Sequence, residues 1–296
     1  MRYKWKTQKK RNWRALALLA VFAVIFMIAA AQLLRAYIGY KKARDYYDSA
    51  ADQYVHAADT PQPTAVSAAA ETSEPAAQQA EQPAQAASAP AEQTEAPRSL
   101  TSAQAHIVCP ISVDFDALQQ ANVQVIGWIY CEGLPINYPV VQAEDNDYYL
   151  HRKPDRTEGE SGAIFMDAAN RNSFQDDISI LYGHNMKDGS MFAKLINYSS
   201  QAYYNSHPVM WLLTPGQNYR VDLFSCLSTL AGDWPYTIRF SKDADKEAYL
   251  ARAKGESMFT SSVEPTAADQ LLLLSTCHYS YNDERYVVLG VLTPAE

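Results

Sequence analysis

Between residues 105 and 296 the apolar residues fall into eight short runs. They are "VQVIGWIY" (123–130), "INYPVVQ" (136–142), "GAIFMD" (162–167), "ISILYG" (178–183), "VMWLL" (209–213), "YRVDLFSCL" (219–227), "LLLLSTC" (271–277) and "RYVVLGVL" (285–292). Gly, Pro, Asn and Asp bound them, which is the pattern of strands separated by turns. Eight runs of that length predict a mainly β domain, either a closed barrel or a sandwich. Helical patterns are few: "DFDALQQAN" at the start, "SMFAKLIN" after the glycines near 183–189, and "SKDADKEAYLARAKGES" before the last two runs. No internal repeat is visible.

What precedes this domain differs in kind. Residues 1–14 carry seven Lys or Arg and no acid, and residues 15–34 are apolar except for Gln32. A run of that length matches the ~20 residues that span a hydrocarbon core. The basic flank predicts a cytoplasmic N-terminus, with everything after residue 35 on the outer side. Ala29-Ala30-Ala31 would suit a signal peptidase, but the run exceeds the ~7–15 residues of a signal core, favouring an uncleaved anchor. Residues 35–59, rich in Ala, Tyr and charge, predict a helix continuing beyond the membrane. From 60 to 104 the chain is almost wholly Ala, Gln, Glu, Pro, Ser and Thr, too polar to offset its ordering entropy, which predicts a disordered stalk.

A net charge of −8 gives no support to nucleic-acid binding. The four cysteines (109, 131, 226 and 277) lack a C-x-x-C pair or a repeated framework. At most one disulfide, Cys109 to Cys131, is expected, and no metal site or cofactor.

Cys277 ends the leucine strand where polar residues begin, whereas Cys226 sits inside a strand, as structural cysteines do. A thiol nucleophile needs a proton acceptor or a cation that stabilises the thiolate. His278 is adjacent, but neighbouring strand residues point to opposite faces. His184, just past the end of the run 178–183, is the better partner if the two strands pair. Arg285 opens the final run, eight residues after Cys277 across a polar turn. A hairpin there returns it beside the cysteine as an oxyanion donor, with a surface ion pair to Asp283 or Glu284 as the equal alternative.

With His184, Cys277 and Arg285 in that order, the chain resembles a class B sortase. The resemblance runs from about Asp114 to Leu292 and rests on "GWIYCEGLPINYPVVQAEDNDYYL", "GAIFMD", "ILYGHNMKDGSMF" and "LLLLSTCHYSYNDERYVVLGVL". It implies a closed eight-stranded β-barrel with peripheral helices behind a transmembrane anchor. It also implies a cysteine transpeptidase of the Gram-positive cell surface, with residues 105–296 as its catalytic domain. Such an enzyme cleaves a C-terminal sorting signal of Asn-Pro-x-Thr type on exported proteins through a thioester, then passes the protein to a peptidoglycan or pilin amine. Carried over, Cys277 is the nucleophile, His184 the acid/base and Arg285 the oxyanion clamp. Asn146, Leu150, Tyr182, Ile238 and Ser275 line the substrate groove. The long segment 60–104 is unusual beside the family and reads as reach across the wall. A papain-like protease places its Cys before its His, and an L,D-transpeptidase has Ser-His-Gly-Cys where this chain has "STCHYS". The remaining alternative is a membrane-tethered β-barrel binding module in which these three residues are structural.

Overall fold

The computed structural model describes residues 13–58, 107–277 and 284–296, position 277 by its backbone. Most of the basic tail, the segment 60–104 and His278 lie outside them. The chain begins in one helix, α1 (Trp13–Tyr54), of 42 residues. It is long and apolar enough to cross a membrane, and none of its most apolar stretch is buried. Its last turns behave differently: Tyr47 and Ala50 are buried, and Tyr47 joins the barrel's own core.

Helix α1 runs directly into β1 (Val55–Ala57), which pairs antiparallel with β2 (Ile111–Val113). Ala58 N donates to Pro110 O at 3.1 Å and Asp114 N to Tyr54 O at 2.9 Å. The described residues that flank the segment 60–104 in sequence are therefore paired with one another.

After α2 (Phe115–Ala121) come β3 (Val125–Cys131), β4 (Ile136–Val141), β5 (Ile164–Met166) and β6 (Ile178–His184). Then follow α3 (Gln201–Ser206), β7 (Val209–Leu213), β8 (Asn218–Leu230), α4 (Asp243–Gly255), β9 (Leu271–Cys277) and β10 (Glu284–Ala295). The eight strands from β3 to β10 close into a barrel in the order β10-β8-β7-β3-β4-β5-β6-β9. All eight apolar runs are its strands, so the barrel, rather than the sandwich, is the fold. The "SMFAKLIN" stretch is helical from Ala193, where it enters a 3-10 helix, Ala193–Ser199. Gly189 and Met191 both hold positive φ (83° and 56°) just before it, which turns the chain tightly onto the barrel.

The leucine run owes its lack of alternation to burial on both faces of β9. Leu272 and Leu274 fill the barrel interior, while Leu271 and Leu273 pack outward with Tyr249, Leu250 and Ala253 of α4. Helix α4 carries Asp243 and Asp245 in its first turn and Arg252 and Lys254 in its last, complementing its dipole. Its buried Lys246 reaches Asp177 Oδ1 at 2.9 Å and donates to Asp269 O at 2.6 Å. These two residues stand just before β6 and β9, and Leu271 N donates to Asp177 O at 3.0 Å. Burial works to raise the Asp177 carboxyl, but the Phe240 amide and Lys246 outweigh it and hold it below its ordinary value.

Replacing Lys246 by Met strips a partner from Asp177 and from the Asp269 carbonyl. We expect it to lower unfolding free energy by about 2–3 kcal/mol at pH 7 in urea titrations. Because the folded carboxyl titrates below the unfolded one, Lys246's stabilisation is present above about pH 4 and fades as pH falls further. The gap between wild type and K246M should narrow accordingly in titrations at lower pH.

Candidate active site

Parallel pairing of β6 with β9 places Tyr182 opposite Ser275, Gly183 opposite Thr276 and His184 opposite Cys277. On the other side of β9, antiparallel β10 places Arg285 opposite Cys277 and Val287 opposite Ser275. Three adjacent strands thus carry His184, Cys277 and Arg285 in one row, with neighbouring strands roughly 4.8 Å apart. Gly183 is required by the packing beneath. A Cβ there would lie 2.5 Å from Ile164 Cδ1 and 2.7 Å from the Phe192 ring.

His184 is buried, and its Nε2 lies 2.7 Å from the carbonyl oxygen of Leu150. A carbonyl only accepts, so Nε2 carries the hydrogen and Nδ1 keeps the lone pair. Burial pushes the imidazole below its ordinary pKa; the Leu150 bond opposes this, and the nearby charges of His151 and Arg285 lower it further. The ring of His151 lies 6.2 Å from that of His184. The arrangement favours a neutral imidazole whose Nδ1 can take a proton.

Beside the row opens a cavity of about 180 Å³ lined by Asn146, Leu150, Phe165, Tyr182, Tyr236 and Arg285, among others. The Tyr182 hydroxyl donates to Asp167 Oδ2 at 2.8 Å, and Asn146 Nδ2 donates to the same oxygen at 3.1 Å. Ala168 N donates to Asn146 Oδ1 at 2.8 Å, so the amide is fixed at both ends. Tyr236 stacks on Tyr182 with centroids 6.3 Å apart, and its hydroxyl meets Ser275 Oγ at 2.9 Å.

A sortase domain profile matches residues 129–293. The chain belongs to the sortase family. It is 37% identical over 177 residues to sortase B of Listeria monocytogenes, covering 59% of this chain and 72% of that one. With sortase B of Staphylococcus aureus the identity is 33% over 178 residues, covering 60% and 73%. A crystal structure of Staphylococcus aureus sortase B superposes with a TM-score of 0.60 at 33% identity, covering 66% of this chain and 91% of that one. The chain is accordingly a class B sortase, a cysteine transpeptidase whose family acts at the cell surface on proteins with sorting signals and an amine acceptor.

Within this sortase, Asn146, Leu150 and Tyr182 line the cavity together with Arg285. Ser275 lies fully buried beneath it and communicates through Tyr236. Ile238 lies elsewhere. It packs in the outer core under α4, and its carbonyl accepts from Ile178 N at 3.0 Å. Sequence reasoning missed Phe165, Tyr236 and Asp167. The aromatic pair in "DWPYTI" was the available signal for Tyr236.

Cys109 and Cys131 are both free, which corrects the expected disulfide. They belong to opposite sides of β3: Cys131 points into the barrel core and Cys109 packs with Trp128 outside it. Burial raises the Cys109 thiol and pushes Cys131 and Cys226 up to about 12, so none of the three is a ready nucleophile.

His184 should titrate below the ordinary histidine value of about 6.5 and hold the Nε2–H tautomer, both read by ¹⁵N NMR of histidine-labelled protein. The unfolded chain binds a proton at this position near pH 6.5 and the folded one only at lower pH. Stability should therefore decline as pH drops through that window, and His184→Gln should flatten the decline.

Proposed function

We propose that the sortase cleaves an Asn-Pro-x-Thr-type signal near the C-terminus of exported proteins, with Cys277 as nucleophile, His184 as acid/base and Arg285 as oxyanion donor. The observation that carries this reading is the single row of these residues across β6, β9 and β10. The Cys277 sulfur, its proton passed to Nδ1 of His184, attacks the threonine carbonyl. The tetrahedral oxygen then carries the negative charge, and Arg285, always protonated, faces it as a donor. On collapse the carbon–nitrogen bond breaks, the protonated imidazole delivers its proton to the leaving amine, and a thioester remains. An amine of peptidoglycan or of a pilin subunit then attacks the thioester. The same imidazole accepts the amine's proton and returns it to the sulfur.

The cavity lined by Asn146, Leu150 and Tyr182 adjoins Arg285, as a groove for the residues preceding the scissile bond would. Its pairing of aromatic faces with a fixed amide suits a short peptide with one polar anchor. Helix α1 is the membrane anchor, spanning with residues 15–34. Its basic flank lies in the cytoplasm and the barrel on the outer surface.

Mass spectrometry of the full-length enzyme mixed with a panel of sorting peptides tests this reading. Wild type should accumulate a thioester with Asn-Pro-x-Thr peptides, and Cys277→Ala should form no adduct. His184→Ala should slow acylation by about 10²–10⁴ and Arg285→Ala by about 10²–10³, whereas His278→Ala should acylate normally. An adduct on Cys277→Ala, or a His278→Ala enzyme that fails while His184→Ala works, would reject the assignment.

A further inference from the structure

The elements that hold His184 do not all belong to the barrel. Its hydrogen-bond acceptor, the Leu150 carbonyl, lies in the 3-10 turn Tyr148–Leu150 and is backed by residues 162–163. Ala163 N donates to Tyr149 O at 3.0 Å. Gly162, at φ 54°, presses so closely that a Cβ would stand 2.5 Å from the Leu150 oxygen and 2.7 Å from that of Tyr149. The carbonyl of Gly162 in turn accepts the hydroxyl of Tyr47, a buried side chain of α1. Tyr47 touches the opposite flank as well. Its ring meets Tyr138 edge-on at 5.1 Å, and the Tyr138 hydroxyl accepts from Met191 N at 2.9 Å. Met191 lies in the loop that leaves His184 and returns through Phe192 N, which donates to His184 O at 3.0 Å. One turn earlier on α1, Arg44 reaches Asp188 of that loop at 3.4 Å, and Asp188 Oδ1 accepts from the Ser190 amide at 3.1 Å.

We propose that Tyr47 is a positioning residue for His184: through Gly162 it fixes the Leu150 carbonyl that sets the imidazole's tautomer and direction. This rests on the reading of His184 as the acid/base. The anchor helix is thereby part of the catalytic frame. Tyr47 lies 13 residues beyond Leu34 in one uninterrupted helix, about 20 Å along its axis. Burial raises the Tyr47 hydroxyl well above its ordinary value, so it remains a donor throughout the working range. When the hydroxyl is removed, the Gly162 carbonyl loses its partner and the 149–150 turn gains freedom. The Nε2–H bond to Leu150 then weakens in a share of molecules. The other groups facing His184 are His151, Arg285 and, at the paired position on β9, Cys277. Both His151 and Arg285 oppose its positive form, so loosening the Leu150 bond, which favours that form, moves its titration to lower pH.

The test uses the full-length chain in lipid nanodiscs. Tyr47→Phe keeps the ring and deletes the hydroxyl, and Tyr54→Phe on the same helix serves as control. For Tyr47→Phe we expect a fall of about tenfold in single-turnover acylation with little change in KM. The limb of the pH–rate profile governed by His184 should move to lower pH, and the Nε2–H population in ¹⁵N spectra should diminish. Tyr54→Phe should match wild type. Wild-type rates, profile and imidazole resonances in Tyr47→Phe would overturn the proposal. So would a slower enzyme whose profile and resonances are unchanged, since that marks a loss of packing alone. His184→Ala runs alongside: undiminished acylation there would remove the catalytic reading, while the Tyr47→Phe resonances would still decide the positioning.

Discussion

The site depends on the parallel register of β6 against β9. A slip of one residue in either strand would turn every side chain to the opposite face, and no local turn fixes a pairing between strands separated by 86 positions. The register is set at the other end of the strands. Lys246 of α4 binds Asp177 and the Asp269 carbonyl together, and Leu271 N closes on Asp177 O. Counting up from Ile178 opposite Leu271, the seventh pair is His184 and Cys277. A buried ammonium is costly unless paired, and here the pairing makes it specific for one alignment. The hairpin of β9 and β10 then needs only its own ladder to bring Arg285 into the same row.

The outward face of these three strands changes character along its length. Near the start of β6 and β9 it is apolar and covered by α4, through Ile178, Ile180, Leu271 and Leu273. Towards the end it gives way to Tyr182, Ser275 and His184, and the covering helix to the loop bearing Tyr236. The inward face has no such gap, and Gly183 permits Ile164 and Phe192 to close it directly beneath the row. Burial therefore favours the neutral form of His184, which stands beside an open cavity. That combination suits a group that must both accept and return a proton.

Much of this was legible in the sequence because the strands are short, bounded and bulky. The eight runs are the eight barrel strands, and the strand-end placement of His184 agrees with β6 pairing with β9, where His184 stands opposite Cys277. The strand order was not legible, since a closed 10-8-7-3-4-5-6-9 sequence is decided by long-range contacts that leave no local signal. Strands β1 and β2, three residues each, are too short for any periodicity to mark them. Ile238, carried over to the groove from a matching motif, is half-buried against the outer core under α4 and is not among the residues lining the cavity beside Arg285. Asp167 was invisible for the opposite reason: a lone carboxylate after an apolar run reads as a turn residue, and only the fold brings Tyr182 and Asn146 to it.

The connection between α1 and the barrel also bears on how the sortase, anchored as proposed, would meet its substrates. A polar linker of some forty-five residues would let a domain wander over a wide shell, its reach growing with the square root of length. Here the 60–104 segment lies between β1 and β2, both seated on the domain, and the helix reaches the barrel before that segment begins. Buried Tyr47 and Ala50, with the Arg44–Asp188 pair, fasten the helix along the loop that follows His184. With α1 spanning the bilayer as proposed, the row on β6, β9 and β10 has a fixed bearing on its anchor. Substrate and acceptor must then come to a site whose approach is set by helix packing instead of by a diffusing tether. A rigid mount of that kind limits the directions of encounter but preserves the alignment of His184, because the side chains that fasten the helix are the ones that brace its neighbours.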